Sequence, residues 1–97
     1  MLTREDILKI LHDNKERFAE KYGVTKLGLF GSFARNEATE ESDVDICVEL
    51  AEVSYDHMFD IREEIMEKTA RPVDIVRVRQ RMDSLLKKRI ERDAVYV

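Results

Sequence analysis

A single cysteine and a single proline stand among these 97 residues, and no long apolar run interrupts them. With Cys47 alone, the chain can close no internal disulfide and build no multi-cysteine zinc site, which suits a reducing cytoplasm. No stretch approaches the roughly 20 apolar residues of a membrane-crossing helix. The N-terminus interleaves Arg4, Glu5 and Asp6 with apolar residues, unlike a secretory signal. The expectation is a cytoplasmic protein with no membrane partner. Positive charge is also short, with 17 Lys and Arg against 21 Asp and Glu and a formal net charge of -4. Because Lys and Arg supply most of a nucleic-acid binder's affinity, this balance speaks against nucleic acid as a partner. It leaves a nucleotide open, since metal ions can hold its phosphates.

What is present is 43% hydrophobic and 39% charged, the make-up of a compact, well-solvated fold. The length allows one core and no separate recognition domain, so residues 1–97 are read as a single domain. A large acceptor must then bring its own recognition surface.

Thr3 as N-cap, with Asp6 three residues on and Ile7, Leu8, Leu11, Phe18 and Tyr22 at helical spacing, predicts a helix over 4–22 ending at Gly23. Thr25 to Phe30 predicts a strand running into a tight turn at Gly31-Ser32. Residues 36–43 are polar and acidic, and then Val44, Ile46 and Val48 alternate with Asp45, Cys47 and Glu49 as a second strand. Met58, Ile61, Ile65 and Met66 mark a helix over 55–69, which Pro72 stops. Val73 to Val78 follows as a third strand. Met82, Leu85, Leu86 and Ile90 mark a last helix, and the tail 94–97 docks back on the core. No repeat or linker is visible, and the expected fold is α/β, a small mixed sheet packed with helices.

The chemistry starts at Asp43-Val44-Asp45. Period-two geometry points both carboxylates to one face and Val44 and Ile46 to the other. Close carboxylates repel, and burying one costs several kcal/mol, roughly, without a partner. A divalent cation relieves both costs, and Mg²⁺ typically sits between one or two carboxylates and substrate phosphates. Asp-x-Asp alone also occurs as a turn former or solvated pair. Asp74 adds a third carboxylate inside the apolar strand Val73-Asp74-Ile75-Val76. It is read either as a third ligand, suited to two metal ions and to taking a proton, or as a strand-edge group paired with Arg71 or Arg77. Gly31-Ser32 offers close backbone approach and a hydroxyl for phosphate oxygens, although such a pair alone is usually just a turn.

Gly31-Ser32, ten intervening residues, Asp43-Val44-Asp45 and a later strand with Asp74 together resemble the signature of the polymerase-β-like nucleotidyltransferase superfamily. The runs Gly31-Ser32-Phe33-Ala34-Arg35 and Ser42-Asp43-Val44-Asp45-Ile46 look most like its minimal nucleotidyltransferase branch. The resemblance reaches from Leu2 to the tail Ala94-Val95-Tyr96-Val97. It implies two Mg²⁺ at Asp43, Asp45 and Asp74, and ATP held at Gly31 and Ser32, with Arg35 and Glu37 matching further motif positions. It also implies an antitoxin that attaches AMP to a tyrosine of a HEPN-domain ribonuclease toxin, in a complex where the chain can be oligomeric. Asn36 stands where that branch usually has Gly, and Asn tolerates left-handed backbone.

Other residues carry blander readings. His12 and His57 lack a second ligand at metal spacing, and Cys47 reads as a small buried hydrophobe. The basic run Arg77, Arg79, Arg81, Lys87, Lys88, Arg89 and Arg92 reads first as a solvated face, with contact to triphosphate or partner as the alternative. Against the enzyme stands a binding module that neutralises a toxin by stoichiometric occlusion. Transfer to a small molecule or RNA is disfavoured by the acidic charge and the short chain.

Overall fold

A computed structural model describes residues 1–97. Helix α1 spans Arg4–Tyr22, capped at Thr3 by a reciprocal box with Asp6 and closed by Gly23 at φ 73°. Strand β1 (Val24–Phe30) runs into the single-turn helix α2 (Gly31–Ala34), and strand β2 (Val44–Leu50) follows the polar loop. Helix α3 (Tyr55–Thr69), capped by Ser54, leads to strand β3 (Val73–Arg77). Helix α4 (Ser84–Asp93), capped by Asp83, precedes strand β4 (Val95–Tyr96).

The sheet order is β3-β2-β1-β4, with β1 antiparallel to β2 and β4 and β2 parallel to β3. The architecture is the expected mixed α/β one, with four strands and four helices. Four details differ from expectation, the first being that β1 starts at Val24 rather than Thr25. The last helix begins at Ser84 because the Asp83 side chain accepts from the Leu86 N–H, which leaves Met82 outside. Val78 falls outside β3 yet still donates to the Val48 carbonyl at 2.6 Å. The tail does more than dock, since Tyr96 and Val95 pair with Gly28 and Leu29 as a fourth strand.

Alternation along β1 and β2 splits the interior. Leu27, Leu29, Val44, Ile46 and Val48 face α1 and α3, where Ile7, Leu11, Phe18, Ile61 and Ile65 complete the main core. Each such fully buried aliphatic or aromatic side chain contributes about 1.5–3 kcal/mol relative to exposure. The opposite face holds a smaller cluster of Phe30, Cys47 and Ile90 under α4. Cys47 is fully buried, as expected of a small hydrophobe. Gly28 leaves room for the Tyr96 ring, because a Cβ there would lie 2.8 Å from it.

One ion cluster ties α4 to α2. The Asp93 side chain, 1% exposed, accepts from Arg35 at 2.6 Å and from Arg92 at 2.7 Å. The Arg92 guanidinium first, and Arg35 with it, hold this carboxyl down at about 2. An unfolded Asp takes its proton near about 4. The cluster's contribution is therefore full above about pH 4 and drains away as pH falls toward about 2. Asp93→Ala should lower unfolding free energy by about 2–3 kcal/mol at pH 7. Urea titrations should show that difference shrinking steadily below pH 4, and a difference independent of pH would contradict this account.

Candidate functional site

Parallel pairing of β2 with β3 sets Asp45 directly beside Asp74. Neighbouring strands lie about 4.8 Å apart, so two carboxylates on the same sheet face crowd each other. Antiparallel pairing on the other side of β2 sets Phe30 beside Asp45, and the chain then turns into Gly31 and Ser32. Gly31 sits at φ +74°, and a Cβ there would come 2.1 Å from an Asp45 carboxylate oxygen. Glycine is thus required twice, by backbone angle and by the carboxylate pressed against it. Three of the predicted positions, Gly31, Asp45 and Asp74, are therefore together, and half-buried Ser32 opens α2 next to them.

Asp43 lies exposed just before β2, one pleat from Asp45. Its segment is held from β3's side: the Arg71 guanidinium donates to the Ser42 carbonyl and, at 3.1 Å, to that of Thr39. Val44 N–H donates to the Pro72 carbonyl at 2.9 Å. Arg71 is thereby engaged with backbone, and Asp74 forms no ion pair with it or with Arg77. Asn36 takes φ 58°, the left-handed turn its residue type tolerates.

The Asp45 carboxyl is pushed up to about 6. Burial is the largest cause, followed by the negative charge of Asp74, with Asp43 adding to it. Arg89 and Arg35 oppose the rise. Arg89 comes from α4, its guanidinium 5.6 Å from the centre of the Phe30 ring. Arg35 is bound to Glu37 at 3.1 Å and to Asp93, so it braces the turn after Ser32 against α4.

No three carboxylate, histidine or cysteine side chains gather tightly enough to hold an ion by themselves. The donor set nonetheless fits a hard divalent cation completed by phosphate oxygens, since Asp45 is half-buried and crowded by like charge that Arg89 and Arg35 only partly offset. His12 is exposed on α1, and His57 packs against the Tyr22 ring at 5.4 Å, so neither belongs to the site.

The nucleotidyltransferase domain family is matched over residues 11–97. The chain belongs to that family. Among its relatives, the protein adenylyltransferase MntA of Thermococcus cleftensis is 40% identical over 98 residues, spanning 100% of this chain and 98% of the relative. The fold is shared with a crystal structure of a toxin-antitoxin with AMP-PNP, at TM-score 0.70, 22% identity, 98% of this chain and 72% of the other. It is also shared with a chain of a structure described as tri-AMPylated Shewanella oneidensis HEPN toxin in complex with MNT antitoxin, at TM-score 0.61, 20% identity, 96% of this chain and 66% of that chain.

In this nucleotidyltransferase, the residues sequence reasoning underrated are Arg89 and Asp93. Arg89 was one basic residue among seven, and only the packing of α4 over Phe30 singles it out. Asp93 was invisible because nothing in sequence places the end of α4 against Arg35.

The raised Asp45 carboxyl has a measurable sign. The folded group keeps its proton to about 6 whereas an unfolded Asp ionises near about 4, so ionisation weakens the metal-free fold as pH rises through that window. Asp45→Asn should stabilise the metal-free protein at pH 8 by about 1 kcal/mol, discounted for partial solvent screening. That corresponds to roughly 4–8 °C in Tm. Melting curves in EDTA should show the gain at pH 8 and its disappearance below pH 4. A lower Tm for the variant at pH 8 would refute the electrostatic reading.

Proposed function

We propose that this chain transfers AMP from ATP to a tyrosine hydroxyl of a partner HEPN-domain ribonuclease toxin and silences it as its antitoxin. The observation that carries this is Asp45 paired with Asp74 in register, with the Gly31 backbone pressed against Asp45. Full-length similarity to a protein adenylyltransferase supports protein as the acceptor class. Structural neighbours described with AMP-PNP and with a tri-AMPylated HEPN toxin support ATP and that partner.

In this mechanism Gly31 N–H and the Ser32 hydroxyl hold phosphate oxygens, and Arg89 takes the outer phosphates from the α4 side. Asp43, Asp45 and Asp74 would hold two Mg²⁺, which would neutralise charge on the triphosphate and the departing pyrophosphate. Asp74, exposed on the outer strand, receives the acceptor's proton. The acceptor oxygen forms a bond to the α-phosphorus while the bond from that phosphorus to the bridging oxygen breaks. Pyrophosphate leaves, the product is an AMP ester of the acceptor, and one proton is released. Arg35 acts at one remove, by fixing the turn that presents Ser32.

Incubation with labelled ATP, Mg²⁺ and a HEPN-domain protein encoded beside it should label that protein. Asp43→Ala/Asp45→Ala should reduce labelling about a thousandfold or more. Arg89→Ala should raise KM for ATP about tenfold, the loss of one charge-assisted contact, with a smaller effect on KM for the acceptor. A double carboxylate variant that labels as well as wild type would sink the enzymatic reading. One that labels nothing yet still protects cells from the toxin would favour occlusion.

A further inference from the structure

The sheet ends in two unequal edge strands, the two-residue β4 beyond β1 and the five-residue β3 beyond β2. Pro72 accepts from Val44 and Val78 donates to Val48, so in the parallel ladder residues 72, 74, 76 and 78 turn their backbone toward β2. Residues 73, 75 and 77 turn theirs outward. Arg62 takes the Val73 carbonyl at 2.9 Å and Arg79 the Arg77 carbonyl at 3.2 Å. The N–H and carbonyl of Ile75 and the N–H of Arg77 are left facing away from the sheet.

Beside this open edge lies a groove of about 560 Å³ between the start of α3 and the end of β3, lined by Val53, Tyr55, Met58, Phe59, Ile75 and Arg77 among others. Val53, Tyr55 and Phe59 are 55%, 83% and 57% exposed, large apolar surfaces gathered in one place. An unpaired strand edge next to an apolar patch invites another chain, and proteins normally blunt such edges unless they are used. The charge here has a sign. Arg77 and Arg79 line the groove and Arg81 follows them, outnumbering Asp56 in the first turn of α3. This basic rim contrasts with a chain of net charge -4.

We propose that the β3 edge binds the acceptor protein through an extended acidic segment that adds to the sheet as a fifth strand. Alternation then does two things at once. Side chains of the added strand fall by turns on the Asp74 face and on the face of Tyr55 and Phe59. The hydroxyl that receives the nucleotidyl group lies on the first face, and the residue next to it in sequence, apolar, lies in the groove on the second. Main-chain hydrogen bonds to Ile75 and Arg77 fix the register, and the arginines select the acidic segment. This rests on the reading that the acceptor is a protein, and it adds where and in what conformation that protein is held.

The test uses the full chain and the HEPN-domain protein of the preceding subsection. Phe59→Asp changes an exposed position, so folding is retained, and it places a negative charge where an acidic segment must lie. It should weaken binding of the HEPN protein, measured by calorimetry without nucleotide, at least tenfold and raise KM for that acceptor to match. The thermal shift given by ATP with Mg²⁺ should stay as in wild type. Ile75→Pro removes an outward N–H without touching the ladder to β2 and should have the same effect. Amide exchange at Ile75 and Arg77 should slow at least tenfold in the wild-type complex, which apolar packing alone would not produce. Unchanged affinity in Phe59→Asp, or unprotected amides at Ile75 and Arg77 in the complex, overturns the proposal while leaving the transferase reading intact. Tight binding through this edge with no AMP transfer by wild type supports the docking surface and instead removes the proposed reaction.

Discussion

Asp45 and Asp74 stand side by side on parallel strands, and the Gly31 backbone closes on Asp45 from a third direction. Two carboxylates at one level of a sheet are an electrostatic cost that the rest of the fold must carry. Parallel pairing is what brings them level, because both strands run away from the same end. Parallel neighbours need a crossover, and α3 provides it with a face of Ile61 and Ile65 pinned to the core side of the sheet. Tyr22 donates to Glu64 at 2.6 Å, so the crossover is also tied to α1.

The cost stays local because the two sheet faces are assigned to different tasks. One face is filled almost wholly by aliphatic and aromatic side chains and supplies most of the burial that holds the chain together. The other carries a smaller apolar cluster beneath α4 and leaves its remainder to charge. Alternation makes this division automatic, since Val44, Ile46 and Val48 go one way and Asp45 and Cys47 the other. α4 in turn is held in place by Asp93, Arg35 and Arg92, so the helix that delivers Arg89 and the turn that carries Ser32 share a single set of ion pairs.

What was legible in the sequence followed from short-range rules. Thr3 with Asp6, Gly23 after Tyr22, and the apolar spacing of 58–66 are decided within a turn or two of chain, and the helices came out close to expectation. The carboxylate pair was legible because strand alternation fixes the side of each residue. Its partner on β3 was legible only as one of two readings, since register between positions 29 residues apart depends on the whole packing of α3, and the resemblance to a family favoured the reading that puts Asp74 with Asp45. The two-residue strand at the tail carries too little pattern to be read as one, and it exists because Gly28 leaves a slot for the Tyr96 ring. Arg35 adds a tertiary fact that its motif position does not carry: its guanidinium pairs with Glu37 and Asp93.

The asymmetry of the sheet connects these points. An acceptor must approach the surface next to the carboxylates. Of the sheet's two edges, the one beyond β1 is only the two-residue β4, and the longer one, β3, is the strand that carries Asp74. Had β4 instead added to β3, the outer carboxylate would lie in the sheet interior, reachable by a nucleotide from above but not by a folded protein from the side. Placing Asp74 on the last strand leaves its carboxylate exposed at the edge of the sheet. The same choice leaves backbone groups exposed at Ile75 and Arg77, and the basic, apolar rim around them is what keeps that exposure from being indiscriminate.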